Sequence, residues 1–328
     1  MMRALVVENL SRDYSGCVLK AVETPQPGPG EVLMRVRAMG VNFPDLLQTR
    51  GEYQHKPDLP FIAGSEVAGE VTALGEGVSG ISVGDAVVGA ATVGGLSEYA
   101  TARASALQPK PGGLSFSQAA AFGTAYITAY VSLVRRARIE PGEWLLVHGA
   151  AGGVGLAAVD LGMRLGAKVI AASASDEKLA VIRDEYGPPH LLNTSGGFRD
   201  KVKEITRGHG ADVIYDPVGG EVFDESVRCV AFDGRLLVVG FASGRIPQVS
   251  VNMPLIKGFS VVGVRAGEYG RRFPERGVEN RRAIWEMADR GELRPRVDRE
   301  YQLEQWREAF ARLDDRQVVG KTVVLPDR

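Results

Sequence analysis

The sequence predicts an α/β protein of two domains, one a mostly β, barrel-like unit and the other a doubly wound parallel sheet. Three observations carry this. Up to about residue 110 the chain runs in short β-type segments broken by Pro and Gly clusters. From about Ala119, apolar strands alternate with helices, as a parallel sheet with helical crossovers requires. Glycine supplies 41 of 328 residues, against a usual share of roughly 7%, and a run of glycines stands between one of those strands and the helix after it.

In the first part, Val18 to Val22, Val32 to Ala38, Val67 to Leu74, Asp85 to Gly89 and Leu96 to Thr101 are the expected strands. Pro25-Gln-Pro-Gly-Pro-Gly30 and Gly75-Glu-Gly77 separate them. In the second part, Trp144 to His148, Lys168 to Ala172, Val213 to Tyr215, Arg235 to Val239 and Phe259 to Val264 are expected as strands, with Val154 to Leu165 and Asp176 to Tyr186 helical. Two amphipathic helices follow, one around Glu279 to Asp289 and one carrying Leu303, Trp306, Phe310 and Leu313 at helical spacing; their stripes are packing faces. Lys321 to Leu325 is expected as a strand returning to the first domain.

Composition removes several classes of function. With 39 Lys plus Arg against 40 Asp plus Glu, the net charge of -1 gives no electrostatic footprint for nucleic acid or anionic lipid. The stretch Pro111 to Val134 is uncharged but broken by Pro-Gly-Gly, serines and threonines, so no membrane span is expected, and MMRALVVENL meets Glu8 before a signal-peptide core develops. A cytoplasmic location is expected. Cys17 and Cys229 are the only cysteines, far apart and outside any metal spacing.

The motif with chemical content is Gly149-Ala-Ala-Gly-Gly-Val-Gly155, directly after the strand Trp144 to His148 and before a helix. There the chain must turn tightly, bring backbone N–H groups to a pyrophosphate and let helix and strand pack closely, so Ala151, Gly152, Gly153 and Val154 are expected to bind a dinucleotide. Ala150 stands where the first glycine of the usual pattern falls. A carboxylate at the end of the second strand would favour NAD. Here that strand ends in Ser173, Ala174 and Ser175, and Lys178 follows, able to pair with a 2'-phosphate as a point charge. NADP(H) is therefore preferred; the other reading leaves Lys178 solvated and gives the ribose to Asp176 or Glu177. Ligands in such sheets sit beyond the carboxyl ends of the strands. This makes Asp216-Pro-Val-Gly-Gly220, with Val218, and Gly240-Phe-Ala-Ser243, with Phe241 and Ala242, the expected nicotinamide lining, although ordinary turn chemistry also accounts for them.

Together with Gly40-Val-Asn-Phe-Pro-Asp45, Gly64-Ser-Glu-Val-Ala-Gly69 and Gly320-Lys321, these motifs resemble, in family order, the zinc-independent quinone oxidoreductases of the medium-chain dehydrogenase/reductase superfamily. The resemblance implies a GroES-like domain of residues 1–122 and 265–328, a Rossmann domain of residues 123–264, NADPH as cofactor, a site in the cleft between them, and a homodimer or homotetramer. It implies that Asn42 and Thr128 contact the nicotinamide half, that backbone around Val264 holds the nicotinamide amide, and that Ser173, Lys178 and a tyrosine hold the adenosine phosphate. Asn193 takes that tyrosine's place here. Tyr53 matches a pocket tyrosine, Lys321 a basic residue near the cleft, and Asp45 is read as a structural hydrogen-bonding residue.

Zinc-dependent relatives carry a cysteine where this chain has Asn42 and a histidine where it has Ser65, so no catalytic metal is expected. Without a Lewis acid, the fitting reaction is reduction of an already activated acceptor, a quinone or an α,β-unsaturated carbonyl, with Tyr53 and Asn42 as candidate hydrogen-bond donors to the developing oxyanion. An enoyl-thioester reductase acting on acyl-CoA, with Arg265, Arg271 and Arg272 toward the phosphates, is the neighbouring alternative, and a non-catalytic NADPH-binding protein is a third.

Overall fold

The computed structural model describes residues 1–90 and 94–326. The chain forms two units, Met1–Thr124 with the segment from Pro295 onward, and Ala125–Arg294. The first begins with β1 (Met2–Val7), β2 (Cys17–Val22), β3 (Glu31–Val41), α1 (Phe43–Thr49), β4 (Phe61–Ile62), β5 (Glu66–Leu74), β6 (Ala86–Ala90), β7 (Tyr99–Arg103), β8 (Leu107–Pro109) and α2 (Phe116–Ala120). All pairings among these strands are antiparallel, so short turns suffice to join many of them. β3 is buried along most of its length because it is paired to both β5 and β7.

Helix α3 (Gly123–Tyr130) leads into the second unit, where β9 (Trp144–Val147), α4 (Gly153–Arg164), β10 (Lys168–Ser173), α5 (Asp176–Tyr186), β11 (His190–Asn193), α6 (Arg199–Ile205), β12 (Ala211–Asp216), α7 (Gly220–Ser226), β13 (Val230–Val238), α8 (Asn252–Lys257) and β14 (Ser260–Gly263) follow. The six strands are parallel in the order β11-β10-β9-β12-β13-β14. That is the 3-2-1-4-5-6 order of a Rossmann sheet, with its topological switch at β9 and β12. The inner strands are continuous apolar runs because helices cover both faces: Leu145, Leu146, Val147, Val169, Ile170 and Ile214 have no exposed surface.

Helices α9 (Ala266–Arg272) and α10 (Pro274–Asp289) also belong to the second unit, so the boundary falls at Arg294/Pro295 rather than at 265. Side-chain pairing accounts for this. Arg135 donates to Asn280 Oδ1 and to Glu279 Oε2, both at 2.7 Å. The Asp160 carboxylate, on α4, accepts Arg294 N at 2.8 Å and the Tyr126 hydroxyl at 2.7 Å.

The chain then returns to the first unit as β15 (Val297–Gln302), α11 (Trp306–Asp314) and β16 (Lys321–Leu325). β16 lies between β15 and β3, extending the first unit's main sheet to β15-β16-β3-β5-β6-β8, with β7 also paired to β3. Trp306 and Phe310 pack edge to face at 5.5 Å and join Leu303 in the same core as Met34, Val36 and Leu46, so the apolar stripe read from the sequence is a packing face.

Candidate cofactor and active site

In the second unit, β9 delivers the chain into the glycine turn. Gly149 takes φ +55°, and Gly155 has to be glycine because a Cβ there would lie 2.2 Å from the Gly149 carbonyl oxygen. Ala150, where the usual pattern has a glycine, is fully buried, and its N–H donates to Ala172 O at 3.0 Å, tying the turn to β10. Helix α4 opens with Gly152 at its cap and no side chain capping it. The first N–H groups of that helix are therefore left for a ligand's negative charge. This cradle, bordered by Ala151, Gly152, Gly153 and Val154, has the uncommitted N–H donors that a pyrophosphate requires.

The loops after β12 and β13 lace together beside the turn. Asp216 is buried; burial pushes its carboxyl group's pKa up, while Val218 N at 2.8 Å and Gly219 N at 2.9 Å donate to it. It is thus a turn-holding carboxylate. Ala242 N donates to Pro217 O and Ser243 N to Val218 O, which brings Val218, Gly240, Phe241 and Ala242 into one loop cluster. Val264 N donates to Val238 O, continuing the β13–β14 pairing. Thr128 lies half-buried on α3, its carbonyl accepting the Ser132 hydroxyl. His148, between β9 and the turn, is buried against Ser226 Oγ at 2.9 Å, and burial lowers its pKa to about 3, so it stays neutral.

At the end of β10, Ser175 caps α5 by accepting Lys178 N at 3.3 Å and donates to Glu177 Oε2 at 2.5 Å. Ser173 pairs in register with Asn193. Asn193 donates to Asp176 Oδ1 at 2.6 Å and accepts Ser195 N and Oγ. Its side chain is therefore engaged locally. The strand end itself carries no carboxylate.

In the first unit, a buried polar cluster gathers at one end of the main sheet. The register pairs Thr322 with Val41 and Gly40 with Glu66, so β16, β3 and β5 bring Lys321, Asn42 and Glu66 together. Glu66, 1% exposed, accepts Asn42 Nδ2 at 3.1 Å, Lys321 Nζ at 3.3 Å and Thr124 N at 2.7 Å. Lys321 is 7% exposed and also donates to Val41 O and Asn42 Oδ1. Both N–H bonds of the Asn42 amide are committed, to Glu66 and to Gly40 O. Asp45 accepts Asn42 N and the Ser65 hydroxyl, each at 2.8 Å, and burial lifts its pKa to about 6. Tyr53 lies half-buried in the turn after α1, and its hydroxyl has no hydrogen-bond partner among the described residues.

Glu66 is the central residue that motif reading passed over, although it stands inside Gly64-Ser-Glu-Val-Ala-Gly69. The available signal was a carboxylate opening an otherwise inward-facing β segment, which needs a buried partner.

A parallel sheet in Rossmann order with a glycine turn at its switch point, joined to a mostly antiparallel unit, defines a nucleotide-linked dehydrogenase or reductase. Residues 28–112 match the alcohol dehydrogenase GroES-like domain and residues 153–280 the zinc-binding dehydrogenase domain. The chain is 40% identical to a quinone oxidoreductase-like protein 2 homolog of Nematostella vectensis over 92% of this chain and 83% of that one. It is 34% identical to a quinone oxidoreductase of Pseudomonas aeruginosa over 92% and 93%. The crystal structure of Escherichia coli quinone oxidoreductase complexed with NADPH superposes with TM-score 0.89 at 28% identity, covering 99% of this chain and all of that one. The chain belongs to the quinone oxidoreductase family of the medium-chain dehydrogenase/reductase superfamily.

Proposed function

We propose that the protein is an NADPH-dependent reductase that passes hydride to a quinone or an α,β-unsaturated carbonyl without a metal ion. The observation that carries this is the second unit's cofactor frame: an uncapped α4 behind a turn that only glycine can make, and serines with Lys178 where an NAD enzyme would present a carboxylate. The NADPH bound to the Escherichia coli relative supports the same cofactor.

Bound NADPH supplies the hydride. The chain's residues cradle its pyrophosphate on α4, place positive charge by its 2'-phosphate, and give a hydrogen bond to the acceptor oxygen as charge develops there. Tyr53 is assigned that donor role because its hydroxyl is uncommitted among the described residues, whereas both N–H groups of the Asn42 amide are already engaged. The metal-free reading rests on the donor set: Asn42 and Ser65 offer neither thiolate nor imidazole, and the Lys321 ammonium already occupies the cluster.

The same proposal includes a homodimer formed through β14. This strand ends the sheet, and Val251, Leu255, Ile256 and Phe232 around it are 84%, 82%, 71% and 79% exposed. Two buried free thiols, Cys17 and Cys229, suit a reducing cytoplasm. Light scattering tests the dimer; a monomer at working concentration removes it. The function is tested by screening quinones, enones and acyl-CoA esters for NADPH oxidation. Preference for acyl-CoA esters would move the assignment to enoyl-thioester reduction, and inertness toward all three would leave a binding protein.

A further inference from the structure

We infer that Lys201, in the first turn of α6, is a second cationic contact for the cofactor's 2'-phosphate, beside Lys178. The inference rests on the NADPH reading above and adds a selectivity residue to it.

The ends of β10 and β11 lie side by side: Ser173 is in register with Asn193, and Thr194 N donates to Ser173 O at 3.0 Å. The loop leaving β11 therefore borders the strand end where this sheet type meets the adenosine ribose. Lys201 reaches back to that border, its ammonium donating to Asn193 O at 3.1 Å. Among the described residues this is its one hydrogen bond and it makes no ion pair, so its charge and two N–H donors are available. Its neighbour Arg199, by contrast, is committed to Asp200 at 2.8 Å.

The two acids at the end of β10 are drawn into local bonds, Asp176 to Asn193 and Glu177 to Ser175. Asn193 itself brings no charge. A phosphate monoester carrying close to two negative charges therefore meets two lysines and no competing salt bridge at Lys201. Both lysines act as point charges, so the contact weakens with added salt.

The test is calorimetric binding of 2',5'-ADP and 5'-ADP to the full-length protein. The wild type is expected to favour 2',5'-ADP. Lys201→Met is expected to weaken 2',5'-ADP about five- to tenfold, as for a partly exposed charged hydrogen bond, and to leave 5'-ADP unchanged. Lys203→Met, on the same helix, is expected to change neither. A Lys201→Met protein that keeps the wild-type preference overturns the inference while leaving the NADPH reading intact. Equal losses in the Lys201 and Lys203 variants also overturn it, because general surface charge would then be responsible. A wild type that does not distinguish the two nucleotides defeats the NADPH reading itself.

Discussion

Removing the Lys321 ammonium tests the buried cluster that organises the first unit. In Lys321→Met the Glu66 carboxylate, 1% exposed, keeps Thr124 N at 2.7 Å and Asn42 Nδ2 at 3.1 Å but loses its counter-charge among the described residues, and Asn42 Oδ1 loses its donor. Breaking a buried pair from one side costs about 3–5 kcal/mol, since the remaining charge stays desolvated. For a unit of this size each kcal/mol is about 2–4 °C, so a drop of about 6–20 °C is expected. Glu66→Gln should cost a similar amount, because it strands the ammonium instead. The double variant removes both charges, and its loss should fall short of the two single losses added together by about 2–3 kcal/mol. Urea unfolding with separate probes for each unit gives the energies, and an unchanged m-value licenses the comparison. Single losses that add to within about 0.5 kcal/mol would show that Lys321 and Glu66 do not act as a pair, and the positioning of Asn42 argued from them would fall.

Three other outcomes follow from the site. Tyr53→Phe should lower kcat by about 100-fold, the cost of one oxyanion donor, with the NADPH dissociation constant unchanged; an unchanged kcat would remove Tyr53 from the reaction. Lys178→Glu should weaken NADPH by about 10- to 100-fold and NADH far less, and equal losses in titrations followed by fluorescence would refute the phosphate contact. His148 is held neutral, with its pKa lowered to about 3 against an unfolded value near 6.5. Its contribution to stability is complete above the unfolded value and is lost as pH falls toward the folded one, by at most about 5 kcal/mol. His148→Gln should flatten the stability profile in that window, and an unaltered slope in denaturation at a series of pH values would contradict it.

The parts of this molecule legible in the sequence are those where the backbone dictates the residue. The turn at Gly149 to Gly155 could be placed because a Cβ at Gly155 collides with the Gly149 carbonyl, and α5 could be placed because Ser175 caps it and Gly187 ends it in a left-handed conformation. Strands β1, β4 and β8 left little trace. β1 lies in a segment whose visible feature was the early charge of Glu8, and β4 and β8 have two and three residues, too few for a periodic pattern. The second boundary between the units was hidden because it is set by Arg135 with Asn280 and by Asp160 with Arg294, pairs far apart in the chain. The same reason concealed Glu66 and Lys321, which only the strand register of β5, β3 and β16 brings together. Lys321 could be marked as a basic residue of interest, but its burial depended on a partner 255 positions away.

In the proposed reaction a dinucleotide held on α4 gives its hydride to an electron-poor carbon acceptor. Anaerobic stopped-flow mixing of the NADPH-loaded protein with excess quinone or enone, using NADPH and its 4-deuterated form, tests this directly. The account predicts rapid loss of the reduced cofactor, slowed by deuterium at the transferred position. Reduced cofactor that stays bound and unoxidised whichever acceptor is supplied would contradict it.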